Sequence, residues 1–265
     1  MKTRFLTTVC ALLTLAVLLG GCSAGAEKAP KKEVGIQLYS VRSLIGAFGN
    51  NQEDYKPVLK QLADMGYTSV EAASYKDGKI YGQTPEQFRK DVEEAGMKVL
   101  STHCTINLSD EELAAGDFSK ALAWWDECIA AHKAAGLKFG YHNHSREFEK
   151  IEDRVMLDYM IENTDPDKVL FEMDVYWAVM GKASPVDYFK KYPGRFKLLH
   201  IKDRREIGQS GMVGFDAIFA NAETAGVENI IVEIEGSSYD DIVRSVRECI
   251  DYLLEAPFVE ASYGK

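Results

Sequence analysis

The sequence lacks several features that would assign it at once to a function class. Its 5 cysteines include no CxxC pair, which excludes a zinc ribbon and a disulfide scaffold. Acidic residues outnumber basic ones by 41 to 31, whereas a non-specific nucleic-acid binder needs the opposite balance to neutralise phosphates. There is also no Gly-rich phosphate loop of the P-loop or Rossmann kind. With 46% hydrophobic residues and only 7 prolines, the composition fits a globular enzyme with an acidic surface.

An apolar run near the N-terminus is too short to span a bilayer comfortably. Lys2 and Arg4 precede this run, which covers 5–19, and small residues follow it. A short basic region, an apolar stretch and small residues in this order are typical of an export signal. The pattern predicts a signal peptide over 1–21.

Cys22 ends a Leu-Gly-Gly-Cys sequence that resembles the bacterial lipobox. In a lipobox the cysteine thiol carries a diacylglycerol and becomes the first residue of the mature chain. The resemblance implies lipidation of Cys22, a tether over 22–33 and a lipid anchor in the bacterial cell envelope; an ordinary cleavage site that contains cysteine is the alternative. Ser23 in the next position favours the outer membrane, facing the periplasm. Nucleic acid and cytosolic partners are then not expected.

The rest of the chain repeats one pattern, in which an amphipathic helix ends in glycine and an apolar strand follows at once. The glycines at these boundaries fit left-handed helix C-caps, and they are Gly66, Gly96, Gly136, Gly194 and Gly226. Strands are predicted over 34–40, 68–72, 99–104, 138–142, 169–173, 197–201 and 229–234. Helices are predicted over 52–65, 85–95, 117–135, 153–163, 185–191, 215–225 and 240–254. Strands alternating with helices indicate βαβ units and a parallel sheet.

The number of these units predicts an incomplete barrel. Seven βα units of roughly 31 residues match the pitch of a (β/α)8 barrel, which has eight. The missing unit falls at Gly136, where a long helix runs directly into the strand that carries His142. We therefore predict one α/β, TIM-barrel-like domain over 34–265 with seven strands. The widest or poorest pairing is expected between the His103 strand and the His142 strand.

Polar and ionisable side chains occupy the carboxyl ends of the predicted strands. These residues are Gln37, Glu71, His103, His142, Asp174, His200 and Glu233. Side chains at such ends line the active site in parallel α/β folds. Packing does not explain them, because a buried charge is costly unless it is paired or bound to a metal. A single histidine of this kind is more often structural, but the convergence indicates a functional site.

Four of these side chains form a mixed set of nitrogen and oxygen ligands. They are His142, Asp174, His200 and Glu233. Imidazole together with carboxylate suits Mn²⁺, Zn²⁺ or Co²⁺ better than Ca²⁺. The four lie far apart in the sequence, so the barrel must bring them together.

Five segments resemble the xylose-isomerase-like TIM-barrel family of sugar phosphate isomerases and epimerases. The segments are 34–42 (VGIQLYSVR), 140–148 (GYHNHSREF), 171–174 (FEMD), 198–203 (LLHIKD) and 232–233 (VE). The resemblance covers residue 34 to the C-terminus and is strongest for lipoprotein members of Bacteroides type. The family's metal ligands are a Glu or His on the fifth strand, an Asp on the sixth, a His on the seventh and a Glu on the eighth. In this sequence they match His142, Asp174, His200 and Glu233.

The resemblance implies a metal-dependent isomerase or epimerase that acts through an enediolate. The metal would bind a carbonyl oxygen and the adjacent hydroxyl of a sugar, while Glu233 or Glu147 removes the proton α to the carbonyl. For Glu147, a salt bridge to Arg146 or Arg42 is the alternative. Lys202 would stabilise the oxyanion or protonate a leaving group, with a surface ion pair as the alternative. D-tagatose-3-epimerase-like members use two metal-bound glutamates. Here His142 replaces the first, which argues against their symmetric proton transfer.

Further side chains near the strand ends are expected to bind the substrate. They are Gln37, Glu71, His103, His144 and Trp177. Because sugar phosphates are scarce outside the cytoplasm, we expect a free sugar or a keto-sugar. Since the same chemistry supports β-elimination, a lyase or dehydratase acting on a 3-keto-glycoside is one alternative, and a non-catalytic sugar-binding lipoprotein is another. The oligomeric state stays open, with a homo-oligomer among the options.

Overall fold

A parallel sheet lies at the centre of the computed structural model, which describes residues 31–51, 54–103, 123, 126–127, 130, 139–151 and 153–264. The predicted signal peptide, Cys22 and its lipidation, the tether up to residue 30 and most of the helix predicted over 117–135 lie outside these residues. Within the described ranges, no helix combines the length and the apolar character needed to cross a membrane.

Seven strands form this sheet in the described part of the chain. They are β1 (Gly35–Gln37), β2 (Ser69–Ala72), β3 (Lys98–Thr102), β4 (Phe139–His142), β5 (Val169–Asp174), β6 (Phe196–Ile201) and β7 (Asn229–Val232). Their order is β3-β2-β1-β7-β6-β5-β4, and all neighbours are parallel. The ends of the sheet, as far as it is described, are the His103 and His142 strands, where the sequence placed the poorest pairing.

The sheet is curled so strongly that its two end strands approach each other. The ring of His103, directly after β3, lies 5.1 Å from the ring of His142 at the end of β4. A flat sheet with strands about 4.8 Å apart would separate these ends by roughly 29 Å. The predicted TIM-barrel-like α/β fold is therefore confirmed.

Nine α-helices lie in the described residues, most of them between consecutive strands. They are α1 (Arg42–Ile45), α2 (Lys56–Met65), α3 (Pro85–Glu94), α4 (Met156–Glu162), α5 (Val175–Met180), α6 (Pro185–Lys191), α7 (Phe215–Phe219), α8 (Ala222–Ala225) and α9 (Ile242–Glu255). Two 3₁₀ helices cover Leu38–Val41 and Arg146–Phe148. Three antiparallel pairs of short strands join Gly46–Ala47 to Asn50–Asn51, Tyr75–Lys76 to Lys79–Ile80, and Lys150–Ile151 to Arg154–Val155.

Capping explains several of the observed boundaries. Gly66 and Gly226, with φ of 115° and 82°, end α2 and α8 in the left-handed region, as predicted. β1 ends at Gln37 rather than at residue 40, because the Gln37 side chain accepts the N–H of Tyr39 and starts a 3₁₀ helix. The helix predicted over 215–225 is two helices, α7 and α8. The sequence analysis missed α5, which Asp174 caps directly at the end of β5.

Side chains alternate between the two faces of each strand, and this alternation decides which of them point into the barrel. Phe171 of β5 packs against Phe196 of β6, and Phe189 of α6 lies 5.5 Å from the Phe196 ring, so this face of the sheet meets the helices. Because successive strand side chains point to opposite faces, Glu172 and Asp174 point inward. The apolar core thus lies outside the sheet, and ionisable groups fill part of the inside.

Candidate metal centre

The four predicted metal ligands meet inside the sheet at the carboxyl ends of the strands. One donor atom from each of His142, Asp174, His200 and Glu233 can be chosen so that all four atoms lie within 4.8 Å of one another. Asp174 Oδ2 lies 3.4 Å from His142 Nε2 and 3.9 Å from His200 Nδ1. Glu233 Oε2 lies 3.6 Å from His200 Nδ1. Ligands of one ion at about 2.1 Å are separated by roughly 3.0–3.4 Å, so these separations are close to those of a coordination shell.

The hydrogen bonding of these donor atoms fits a cation. His142 Nε2, Asp174 Oδ2 and His200 Nδ1 are buried and have no hydrogen-bond partner among the described residues. An unpaired buried polar atom costs about 1–3 kcal/mol, so three that face one another are expensive without a ligand. Two imidazole nitrogens with carboxylate oxygens suit a divalent transition metal. The residues present therefore fit the metal that the sequence predicted.

Burial and mutual contact set the charges of this group. Burial raises the pKa of Asp174 to about 8. Burial, together with the charges of His200 and His103, lowers the pKa of His142 well below its usual value, which keeps a nitrogen lone pair available for a metal. Burial opposes the ionisation of Glu233, but its close approach to His200 and the charges of His200 and Lys202 hold its pKa below the usual range.

A second group of ionisable side chains shares His200 with the first. It contains Glu71, His103, Glu172 and His200. Glu71 Oε1 lies 2.7 Å from His103 Nε2 and 2.8 Å from His200 Nε2, and Glu172 Oε1 lies 3.3 Å from the same His200 nitrogen. Burial opposes charge on both Glu71 and His103. Their attraction nevertheless lowers the pKa of Glu71 well below its usual value and raises that of His103 to about 10.

Glu172 was missing from the sequence prediction. The prediction took one polar residue at each strand end, which on β5 was Asp174. Glu172 precedes Asp174 by two residues and therefore points to the same face. The Glu172 side chain is only 6% exposed. The alternation of side chains along β5 was the sequence signal that could have identified it.

Lys202 forms an ion pair, but the pair is buried and is not the surface ion pair that the alternative interpretation expected. Its ammonium lies 3.1 Å from Glu233 Oε2 and 3.0 Å from Glu235 Oε2, and the side chain is 1% exposed. The same nitrogen lies 5.5 Å from the centre of the Trp177 ring. Lys202 thus links a candidate metal ligand to an aromatic side chain at the barrel mouth.

Glu147, the second predicted base, belongs to neither group of candidate ligands. Its carboxylate accepts the Tyr141 hydroxyl at 2.9 Å, the N–H of His144 at 2.7 Å and the Nε–H of Arg146 at 3.0 Å. These bonds occupy both carboxylate oxygens of a side chain that is 1% exposed. The placement of Glu147 indicates that it shapes the turn after β4, so it does not support a role as base.

The predicted substrate-binding residues are placed differently from one another. Gln37 is fully buried, and its two side-chain ends bond to Glu71 and to the N–H of Tyr39, so both ends have partners within the protein. The His144 ring lies 5.0 Å from that of His142 and 5.8 Å from that of Trp177. His144 and Trp177 line a cavity of about 300 Å³ together with two neighbours in the turn after β4. This cavity lies beside the candidate metal centre.

Comparison with known proteins identifies relatives with this fold. No protein-family model matches the chain. A crystal structure of a sugar phosphate isomerase/epimerase from Parabacteroides distasonis ATCC 8503 is 32% identical, has a TM-score of 0.72, and covers 90% of this chain and 99% of its own. The structure of an L-ribulose 3-epimerase is 13% identical with a TM-score of 0.59, covering 84% of this chain and 93% of its own.

A curated relative of another activity covers a shorter stretch. The inosose dehydratase of Geobacillus kaustophilus (strain HTA426) is 21% identical over 196 residues, which are 56% of this chain and 61% of the dehydratase. The chain therefore spans about three fifths of that relative's length. In contrast to the match with the dehydratase, the match with the Parabacteroides structure extends over almost the whole length of both chains. On that match the chain belongs to the sugar phosphate isomerase/epimerase family of xylose-isomerase-like TIM barrels.

Proposed function

We propose that the protein is a metal-dependent sugar isomerase or epimerase that acts on a free sugar or keto-sugar. The observation that carries the proposal is the meeting of four metal-ligating side chains, three of whose facing donor atoms lack any hydrogen-bond partner among the described residues. Family membership supports the same class of chemistry. The cavity beside His144 and Trp177 offers space and an aromatic face for the substrate.

The residues of the centre would divide the chemistry among them. A divalent cation held by the four ligands would supply a Lewis acid that stabilises the negative charge of a substrate enediolate. Glu233 would accept the proton α to the carbonyl. Two observations support this role, the 3.6 Å between its Oε2 and His200 Nδ1 and a pKa held below the usual range. The Lys202 ammonium, 3.1 Å from Glu233 Oε2, would hold that carboxylate and donate a proton to a substrate oxygen.

A dehydratase acting on a keto-sugar or 3-keto-glycoside is the second candidate function. Proton removal α to a carbonyl is also the first step of β-elimination, and a buried ammonium beside the base could protonate the departing oxygen, which belongs to a hydroxyl group in a keto-sugar and to the aglycone in a 3-keto-glycoside. Lys202 occupies such a position. The 21% identity to an inosose dehydratase supports this reading as well.

The decisive experiment follows substrate mass and hydrogen exchange together. Protein loaded with Mn²⁺, Zn²⁺ or Co²⁺ would be incubated in D₂O with sugars, keto-sugars and keto-glycosides, and the products analysed by mass spectrometry and NMR. An isomerase or epimerase gives deuterium at the carbon α to the carbonyl with no other mass change. A dehydratase gives a product lighter by one water, and a lyase acting on a keto-glycoside releases the aglycone as a separate product. Binding without exchange in the wild type would contradict both proposals and leave a sugar-binding protein. His200→Ala is the control without a complete ligand set.

We also propose that a lipid on Cys22 anchors the protein to the bacterial cell envelope. Stable attachment depends on acyl chains buried in the bilayer. Cys22→Ser should move the protein from the membrane fraction to the soluble fraction in detergent-free fractionation. Retention of the variant in the membrane fraction would contradict the anchor.

A further inference from the structure

His200 faces two different environments through its two ring nitrogens. Nδ1 points to Asp174 and Glu233 at 3.9 and 3.6 Å and has no hydrogen-bond partner among the described residues. Nε2 lies 2.8 Å from Glu71 Oε1, at hydrogen-bonding distance. Because an ionised carboxylate only accepts hydrogen bonds, Nε2 must carry the proton. A histidine binds a metal through a nitrogen lone pair, so in the metal-binding form of the ring the lone pair is on Nδ1, the nitrogen that faces the candidate metal centre.

Glu71 is itself held in place by neighbours that do not belong to the metal centre. Gln37 donates from Nε2 to Glu71 Oε1 at 2.6 Å, and the Ser101 hydroxyl donates to Glu71 Oε2. Gln37 and Ser101 lie opposite Glu71 on the strands at either side of β2. Three adjacent strands of the barrel thus fix one carboxylate, which is 2% exposed.

We propose that Glu71 is a positioning residue of the metal centre, which fixes the orientation and proton of His200 so that Nδ1 is presented to the cation. The inference rests on the proposed function, since it concerns the same centre. A carboxylate or carbonyl behind a metal-bound histidine typically sets both the tautomer and the ring orientation, and its loss costs about 10–100-fold in metal affinity. Glu71 is two strands away from the nearest candidate carboxylate ligand, Glu233, in the sheet order, so it contacts His200 from the side opposite the candidate metal centre.

Two other interpretations of the second group of ionisable side chains must be distinguished from the positioning role of Glu71. Glu172 Oε1 lies 3.3 Å from the same His200 nitrogen and could orient the ring in place of Glu71. Alternatively, Glu71, His103 and Glu172 could hold a second cation. We favour the positioning role because both Glu71 oxygens already accept hydrogen bonds from Gln37, Ser101 and His200.

Metal affinity and stoichiometry separate these readings. Chelator competition with Zn²⁺ would be measured for wild type, Glu71→Ala, Glu71→Gln and Glu172→Gln. We expect one equivalent of metal in the wild type, a Kd weakened about 10–100-fold in Glu71→Ala, and a smaller loss in Glu71→Gln, whose amide oxygen can still accept the His200 N–H. An equal or larger loss in Glu172→Gln would overturn the proposal. So would a second equivalent of metal in the wild type that disappears in Glu71→Ala.

The matched control is Glu206→Gln, which makes the same chemical change at another buried carboxylate. Glu206 accepts hydrogen bonds from the Ser238 N–H and the Ser245 hydroxyl, away from both candidate groups. The Glu206→Gln variant should lose some folding stability and keep the wild-type metal affinity. If Glu206→Gln weakens metal binding as much as Glu71→Gln does, the Glu71 effect is only a general loss of folding and the proposal fails.

A measurement that needs no metal keeps the proposal falsifiable on its own. In ¹⁵N-histidine-labelled protein, the His200 Nε2–H hydrogen bond should give a slowly exchanging downfield proton signal, present in the wild type and lost in Glu71→Ala. Should Glu71→Ala fail to fold, Glu71→Gln should show the same proton shifted upfield. An unchanged signal in the folded variant would overturn the role of Glu71. Absence of metal from the wild type would instead contradict the proposed function, while the proton signal would still decide the role of Glu71.

Discussion

Two buried aspartates at neighbouring strand ends use their carboxylates in opposite ways. Asp174 is the last residue of β5 and is fully buried. Its Oδ1 accepts the N–H of Trp177 and caps α5, but its Oδ2 has no hydrogen-bond partner among the described residues and faces His142. One oxygen therefore supports the fold, while the other lies among the candidate metal ligands.

Asp203, just beyond β6, is 2% exposed and is satisfied at both oxygens. Oδ1 accepts the N–H of Arg204 at 2.7 Å and the Ser210 hydroxyl, and Oδ2 accepts the N–H groups of Gly208 at 3.2 Å and Ser210 at 3.3 Å. A carboxylate with all its hydrogen bonds made holds a loop. Burial alone thus does not identify a functional acid in this barrel, whereas an unpaired buried oxygen aimed at other ligand atoms does.

Removing the unpaired oxygen should have the largest effect. Asp174→Asn keeps a side-chain oxygen that can cap α5 through Trp177 N–H but loses the charge that a cation needs. We expect metal affinity to fall by more than about 100-fold, since even an outer-shell partner is worth 10–100-fold. Isothermal titration with Zn²⁺ or Mn²⁺ provides the measurement. An unchanged Kd would show that Asp174 is not a ligand and would break the contrast with Asp203.

Removing the Asp203 carboxylate should lower the stability of the fold and leave metal binding unchanged. Asp203→Ala leaves the N–H groups of Arg204, Gly208 and Ser210 without their acceptor, and we expect the free energy of unfolding to fall by about 2 kcal/mol. Urea denaturation measures the loss, and the same titration should give the wild-type metal affinity. A variant with wild-type stability but weakened metal binding would reverse the roles given to the two aspartates.

A smaller and pH-dependent effect is expected at Glu206. Burial opposes ionisation, but hydrogen bonds from Ser238 and Ser245 lower the pKa of Glu206 to about 2. Its unfolded value is about 4.3, so the ionised form stabilises the fold above that pH, and this contribution is lost as the pH falls toward 2. Glu206→Gln should be about 1 kcal/mol less stable at pH 7, with the difference shrinking below pH 4. Urea midpoints at pH 7, 4 and 2.5 test this, and a pH-independent difference would contradict it.

The sequence was sufficient to predict the barrel and the meeting of the four candidate ligands. Gly66 and Gly226 marked helix ends, and the parallel topology puts every strand's carboxyl end at one level, so His142 and Asp174 had to converge. The sequence could not predict hydrogen-bond partners, which depend on distances of a few tenths of an ångström. For that reason Gln37 was expected to face the substrate, although it supports Glu71.

The missed elements have equally local causes. α5 is only six residues long and begins at the residue after β5, so no turn signal precedes it. Glu172 was missed because the prediction considered only the last polar residue of each strand. Side chains two positions apart on a strand point to the same face, so Glu172 shares a face with the last residue of β5. The helix predicted over 117–135 and the N-terminal signal remain predictions.

The metal content of the purified protein tests the central claim most directly. The wild type and His200→Ala would be prepared without added chelator, supplied with Mn²⁺, Zn²⁺ and Co²⁺, desalted and analysed for bound metal by mass spectrometry of the elements. We expect one equivalent of a divalent transition metal in the wild type and nearly none in His200→Ala, because both candidate groups depend on this histidine. A wild-type protein without stoichiometric metal, or a His200→Ala variant that keeps it, would show that these side chains do not form a metal centre.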